Sequence, residues 1–430
     1  MGRHKKTQTD GAYTPKKIPA LEGAADVITD SDPLWEAVLK RLANIGKTYG
    51  FAKVEPPLLE DQYLYQSFYR QNQLPPEVLA VSGPARPAAL RPAMLPGVLR
   101  GYYQNKIFDK LPLAKWHYGG WTYRVDKKGL LTSNFEYGLE IFGGFTHLAE
   151  AQLIGAVWEL LGSLGLKDVA LEVNNIGEQA CQQAYQDSLR DFLRGKKYDL
   201  CDNCNESLQT RPLNVFRCAN LDCQSLLAEA PAILDFLSEA SHKQFTSMLE
   251  ALDEMGIPYQ LNPVYAGVEG CAKTNFVFKY KTKDETYILG EGGSHEGYIQ
   301  TLCGKPHSCF GFVGSASLLR QLLEQNKVSV SKELHSDVFL VPLGELASKK
   351  SLRLFRDLTT QRIAVHDHFG QSGVKNQLKA AQTQSAPIAL IMGQKEAMEE
   401  MVILRDVKSG MQEVISYDKI VDEVKKRLGK

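Results

Sequence analysis

Half of the chain's eight cysteines fall between positions 201 and 223, in the segment CDNCNESLQTRPLNVFRCANLDC. They are spaced Cys201-x2-Cys204, then thirteen residues, then Cys218-x4-Cys223. Two close pairs across a ribbon-length gap suit a tetrahedral four-thiolate zinc site. Such a site has no open position, so its zinc would fold the segment and not catalyse. Arg211 and Arg217 lie close in sequence and bring positive charge near the thiolates. The rival reading is four incidental cysteines in a helical insertion.

Other residues carry chemistry less specifically. His366 and His368 alternate along VHDHFG and suit either metal binding or packing. Lys127 and Lys128 sit in DKKGLLTSN, a basic hairpin loop that suits contact with RNA or a solvated tip. Lys349, Lys350, Arg353, Arg356, Lys375 and Lys379 give a basic face near the C-terminus. Such a face fits phosphate contacts, which supply affinity without reading sequence. A solvated helix face is the alternative. With 50 basic and 50 acidic side chains, bulk charge implies no nucleic-acid partner, so RNA would need a local patch.

The elements that must position these residues read as follows. The 430 residues, 43% hydrophobic and 23% charged, have an ordinary globular balance and are enough for two or three domains. No run of about 18 apolar residues suggests a membrane span. Residues 1–17 are basic with no apolar stretch after them and read as a flexible arm. Cysteines without an export signal point to reduced thiols and a cytoplasmic location. Residues 31–50 form an amphipathic helix, with Trp35, Val38, Leu39, Leu42 and Ile45 at helical spacing. WHYGGWTYRV and FEYGLEIFGGF are the strands of a hairpin. A helical insertion fills 178–256, and a polar stretch near 329–336 marks a domain boundary. Strands and helices alternate over 335–430, which implies a small α/β domain.

The order of segments resembles histidyl-tRNA synthetases of class II. LEGAADV resembles the family's entry segment, YGFAKVEPPLLED its motif 1, and LRPAMLPGVLRGYYQN its LRPEGT segment. WTYRVDKKGLLTSNFEYGLEIFGG resembles motif 2, CFGFVGSASLLRQLLE motif 3, and the run from DVFLVPLG to VILRDVKSGMQEVI the anticodon-binding domain. The resemblance implies a class II catalytic domain over 18–330, of α+β class, with a mixed, mainly antiparallel sheet and flanking helices. It also implies a C-terminal α/β anticodon-binding-like domain over 335–430. Motif 1 implies a homodimer.

The chemistry such a scaffold performs brings a carboxylate onto the α-phosphate of ATP. Both are anions, so the site must fix cations where negative charge grows. By the resemblance, Thr122 stands at the motif 2 arginine, Leu318 at the motif 3 arginine, and Ala266 at the arginine of the histidine-binding segment. Arg320 follows two helical residues later and faces elsewhere. Arg124 falls two residues along the strand from Thr122, on the same face. Arg91, Arg124, Glu136, Glu140, Glu269, His295 and Glu296 remain as residual pocket residues. Removing one preorganised group of this kind costs about 10²–10³ in rate.

The resemblance and these substitutions together imply a chain unable to form histidyl-adenylate. ATP and magnesium would have no productive role, and zinc would be structural. The chain would act as a dimeric tRNA-binding or regulatory factor, with tRNA or another protein as partner. One alternative is a divergent but active histidine–tRNA ligase. Another is a regulatory subunit like that of ATP phosphoribosyltransferase, against which the complete C-terminal domain argues.

Overall fold

The computed structural model describes residues 19–430, apart from 25, 29–31, 70–72, 84, 145–146, 219, 266, 268–271, 283–284, 329–335 and 368–372. The residues 1–17 read as an arm, and most of the stretch read as a domain boundary, lie outside the described residues. The chain divides into two compact units, 1–330 and 331–430.

The larger unit is built on an eight-stranded sheet. Its strands run in the order Ala52–Lys53, Leu113–Val125, Leu131–Gly143, Cys309–Ser315, Thr286–Ser294, Ala272–Lys281, Val169–Asn175 and Gln260–Leu261. The six inner strands pair antiparallel, and the two short edge strands pair parallel. This is the mixed, mainly antiparallel sheet that the family resemblance implies. The hairpin is longer and its loop tighter than DKKGLLTSN suggests. Pairing runs without a break from Leu113↔Gly143 to Val125↔Leu131, so Thr132, Ser133 and Asn134 lie in the strand. Asp126 closes the turn by accepting the Lys128 and Leu130 amides on Oδ1 at 2.8 and 2.9 Å.

Helices cover the sheet face that carries Tyr137, Leu139 and Ile141. His147–Ser163 is apolar almost all round and is buried through most of its length, as such a helix must be. Pro33–Thr48 starts where the Asp32 carboxylate accepts the Trp35 amide, with proline in its first turn. Trp35, Val38 and Ile45 point into the main core, and Leu39 and Leu42 pack at its margin. Ala316–Gln325 adds Leu319, Leu322 and Leu323.

The 178–256 segment is helical but belongs to two cores. From Gln179–Arg194 to the short turn Ile233–Phe236 it packs around its own cluster, including Tyr185, Leu189, Leu193, Leu208, Val215 and Leu227. Its last helix, Glu239–Glu254, sends Phe245, Met248 and Leu252 into the main core instead.

The smaller unit is a five-stranded sheet in the order Val365–Asp367, Val338–Pro342, Ile388–Met392, Met401–Asp406 and Gln412–Ser416. Its first three strands are parallel and its last two antiparallel. Alternate residues of one strand serve opposite faces. Val338 and Leu340 pack with the helices Glu345–Thr360 and Ile420–Leu428, while Phe339 and Val341 pack with Val374–Thr383. Among the described residues no helix is long and apolar enough to cross a membrane.

Candidate functional site

A cavity of about 540 Å³ opens over the sheet's central strands. Its polar lining is Arg124 and Asn134 from the hairpin strands, Glu136, Glu291, His295, Ser315, and Arg211 from the cysteine lobe. Its apolar lining includes Phe68, Tyr69, Leu95, Leu289, Tyr298 and Val313. The hairpin register puts Tyr118, Gly120, Thr122 and Arg124 opposite Gly138, Glu136, Asn134 and Thr132.

The cavity floor holds a closed polar network. Glu140 is fully buried. Its Oε1 accepts from the Tyr118 hydroxyl at 3.2 Å, and its Oε2 faces His295 Nδ1 at 3.0 Å and the Cys309 thiol at 3.3 Å. A carboxylate only accepts, so the network assigns the imidazole proton to Nδ1. Burial, then the nearby Glu140 charge, holds the Tyr118 hydroxyl and the Cys309 thiol well above their usual ranges. The backbone makes room for this. A Cβ on Gly311 would lie 1.9 Å from Glu140 Oε2, and one on Gly138 would lie 2.3 Å from the Tyr118 hydroxyl.

Glu136 lies four residues earlier on the same strand face. It accepts the Met94 amide at 2.7 Å. Burial pushes its carboxyl up to about 7, against the pull of the Met94 amide, Arg124 and Arg91. Glu291 accepts from the Tyr265 hydroxyl at 2.9 Å.

The residues singled out from sequence separate into three groups. Arg124, Glu136 and His295 line the cavity, with Glu140 directly beneath His295. Arg91 and Glu296 do not line it. The Arg91 guanidinium is turned onto backbone carbonyls, with Nε and Nη2 on Trp121 at 3.1 and 3.0 Å and Nη1 on Pro56 at 2.8 Å. Glu296 pairs with Lys273 at 3.1 Å. Ala266 and Glu269 lie outside the described residues.

At the two described positions matched to catalytic arginines, no cation stands. Thr122 is buried and donates its hydroxyl to Asn134 O at 3.1 Å. Leu318 packs at the edge of the main core. Arg320 is held by Asp32 at 2.7 Å and Glu324 at 2.6 Å, away from the cavity as its helical offset requires. Arg124 keeps a side chain in the cavity, its Nε on Pro92 O at 3.0 Å. Sequence reasoning missed Tyr118, Cys309 and the cavity-side placement of Arg211. Only strand register reveals the first two, since Cys309↔Phe142 and Trp116↔Glu140 set the approach.

The four cysteines converge. Their sulfurs all lie within 4.8 Å of one another, and Cys201 and Cys218 are 3.7 Å apart. Four thiolates at zinc–sulfur distances of about 2.3 Å would stand about 3.8 Å apart, so the set fits zinc. The Cys201 amide donates to Cys223 Sγ at 3.3 Å, and the Asn220 amide to Cys218 Sγ at 3.4 Å. Cys204 and Cys223 are buried in the lobe core, and none of these thiols is in a disulfide. The Cys204 amide and thiol hold the Cys201 thiol down at about 7, while burial pushes Cys204 and Cys223 up. Four thiols packed this closely cannot all ionise without a cation among them.

In the smaller unit the basic residues do not share one face. Lys349, Lys350, Arg353 and Arg356 lie on Glu345–Thr360, and Lys375 and Lys379 on Val374–Thr383, across the sheet. Lys349 pairs with Glu345, Lys350 with Glu400, and Arg353 and Arg356 with Asp357. Lys375 and Lys379 form no ion pair among the described residues. His366 Nδ1 meets Gln384 Oε1, and His368 lies outside the described residues.

Residues 23–319 match the family model described as histidyl-tRNA synthetase, and 337–427 match the anticodon binding domain. A histidine–tRNA ligase of Dehalococcoides mccartyi is 25% identical over 412 residues, covering 94% of this chain and 99% of that protein. One from Rhodococcus erythropolis is 28% identical over 411 residues, covering 94% and 97%. Among solved structures, apo histidyl-tRNA synthetase of S. aureus superposes with a TM-score of 0.76 at 23% identity, over 96% of this chain and 100% of that one. A Bacillus halodurans structure titled an ATP phosphoribosyltransferase regulatory subunit/histidyl-tRNA synthetase gives 0.61 at 16% identity, over 88% and 99%. These structures share the fold.

Proposed function

The chain belongs to the histidyl-tRNA synthetase family, and from that premise we propose that it keeps the family's scaffold and ligand cavity without activating histidine. It acts as a cytoplasmic, dimeric tRNA-binding or accessory factor. The observation that carries this reading is the chemistry at two matched positions. Thr122 is buried with its hydroxyl on a backbone carbonyl, and Leu318 packs at the edge of the main core. Neither offers charge to an α- or γ-phosphate. Arg91 is committed to the carbonyls of Pro56 and Trp121.

Pyrophosphate exchange into ATP in the presence of histidine tests this directly. The expected result is no histidine-dependent exchange, and robust exchange overturns the reading. One observation favours the second reading, a divergent active ligase: Arg124 and Arg211 both line the cavity. On that reading exchange is present and falls about 10²–10³-fold in Arg124→Ala.

The anticodon-type domain supports a tRNA partner. Lys375 and Lys379, with Lys127 and Lys128 at the exposed hairpin tip, are the cations best placed to meet phosphates. Replacing any one phosphate-binding lysine by alanine lowers the salt slope of tRNA binding by roughly one. Near the short edge strand Ala52–Lys53, Leu58 and Leu59 are each 45% exposed and Tyr63 is 72% exposed, which supports a second copy of the chain there. Zinc at Cys201, Cys204, Cys218 and Cys223 holds the lobe together, a role supported by the sulfur geometry.

A further inference from the structure

We propose that Cys201 and Cys218 form a site of reversible oxidation by hydroperoxides, at which a disulfide between them expels the zinc and ties the lobe in its place. The expulsion rests on the zinc reading above. The disulfide rests on where the sulfurs lie.

The four cysteines are not equivalent. Cys204 and Cys223 are 2% and 0% exposed and belong to the lobe core with Leu208, Val215 and Leu227. Cys201 and Cys218 are half-buried and pack at the margin of that core. Oxidation of a thiolate needs access as well as nucleophilicity, so an oxidant meets the marginal residues first. These two also come from different close pairs, Cys201 opening the first and Cys218 the second. Their sulfurs stand 3.7 Å apart. A disulfide bond of about 2.05 Å requires them to close by about 1.7 Å. Residues at the margin can make that shift. The core sulfurs would have to move close-packed neighbours with them.

The chemistry runs in two steps. One of the two thiolates attacks a peroxide oxygen. An S–O bond forms as the O–O bond breaks, and the leaving oxygen takes a proton to become water, or an alcohol from an alkyl hydroperoxide. The other thiolate then attacks the sulfenic sulfur. The S–S bond forms as the S–O bond breaks, and hydroxide takes a second proton and leaves as water. The two sulfurs lose two electrons and the peroxide gains them. Zinc is left with Cys204 and Cys223, half of a four-ligand shell, and departs as the divalent ion. The new bond joins residues 17 apart in sequence, so it restrains the lobe chain as the metal did. A dithiol reductant exchanges with the disulfide, is itself oxidised, and returns both thiols.

The test uses the full-length protein loaded with zinc and titrated with hydrogen peroxide. A colorimetric indicator reads released zinc, and peptide mapping without reduction reads which sulfurs are joined. The expected result is loss of the bound zinc together with a crosslink between Cys201 and Cys218, both reversed by dithiothreitol and added zinc. Hydrogen exchange across 179–236 should stay low in the oxidised protein, whereas chelation raises it. Cys201→His keeps a zinc ligand and cannot join a disulfide, so it should hold zinc at peroxide levels that empty the parent. Should that variant bind no zinc, the parent's peptide map still decides. The proposal is overturned if zinc and free thiols survive peroxide, if the sulfurs go only to sulfinic acid, or if the crosslink joins any other pair. Exchange that rises on oxidation as it does on chelation overturns the tie. Protein that binds no zinc but forms the Cys201 to Cys218 crosslink removes the zinc reading and leaves the oxidation site, so the two fail separately.

Discussion

The cavity floor and the four-cysteine lobe both bury polar side chains, and they do so in opposite ways. On the floor, one carboxylate meets three donors, from Tyr118, His295 and Cys309, and the set is closed. In the lobe, four sulfurs face one another, with backbone amides such as those of Cys201 and Asn220 donating to them. A closed network explains its own burial. A set of like groups that needs a cation to ionise points beyond the protein. The difference teaches how to separate a structural cluster from a ligand site in one chain.

The largest effect that tests this contrast is metal removal. Structural zinc in thiolate sites contributes apparent binding energies of about 10–16 kcal/mol near neutral pH. Chelation, or the pair Cys204→Ser with Cys223→Ser, should therefore open the lobe and spare the sheet. Hydrogen exchange should rise across 179–236, with strands 131–143 and 309–315 still protected. Unchanged exchange in the lobe would place the cysteines with the floor, as a closed cluster that needs no ion.

The two regions also differ in how far the sequence reveals them. The cysteines sit within one segment, so spacing alone brings them together. The floor assembles from strands near 118, 140, 295 and 309. Glu140 and His295 were legible through the family resemblance. Cys309 and Tyr118 were not, because their meeting depends on sheet register and on glycines that clear the way. The sheet of the larger unit was legible through the family resemblance, and the smaller α/β unit through its alternating strands and helices, which are local signals. The six basic residues of the smaller unit show the opposite failure. They read as one face in the sequence, but alternation across the sheet divides them.

A second, smaller effect tests the closure of the floor. Glu140→Ala removes the acceptor that Tyr118, His295 and Cys309 share, each lost bond worth about 1–3 kcal/mol, and it opens a space beside Gly311. The expected loss of unfolding free energy is on the order of 3–5 kcal/mol. Glu140→Gln keeps the shape and one acceptor, and should lose about 1–2 kcal/mol. Equilibrium urea unfolding of both variants reads the difference. If Glu140→Ala costs no more than Glu140→Gln, the three hydrogen bonds do not act as a closed set.

The smallest effect is also the only one whose sign changes the assignment of a residue. Glu136 lies on the same strand face as Glu140, but burial holds its carboxyl up at about 7, above the ordinary 4.5. A raised folded-state value means that Glu136 supports the fold fully only below its unfolded value. That support is lost as pH rises through about 7. The loss is on the order of 3 kcal/mol at about 1.4 kcal/mol per unit. Glu136→Gln removes the titration and still offers an oxygen to the Met94 amide. It should be more stable than the parent at pH 8, by roughly 2–3 kcal/mol, and the advantage should fade toward pH 5. Glu150, also pushed up to about 7 by burial, supplies an independent comparison through Glu150→Gln. Should Glu136→Gln instead lose stability at pH 8, then Arg124, Arg91 and the Met94 amide outweigh the burial. Glu136 would then join Glu140 as a closed structural group, and the cavity would lose its one carboxyl poised near neutrality.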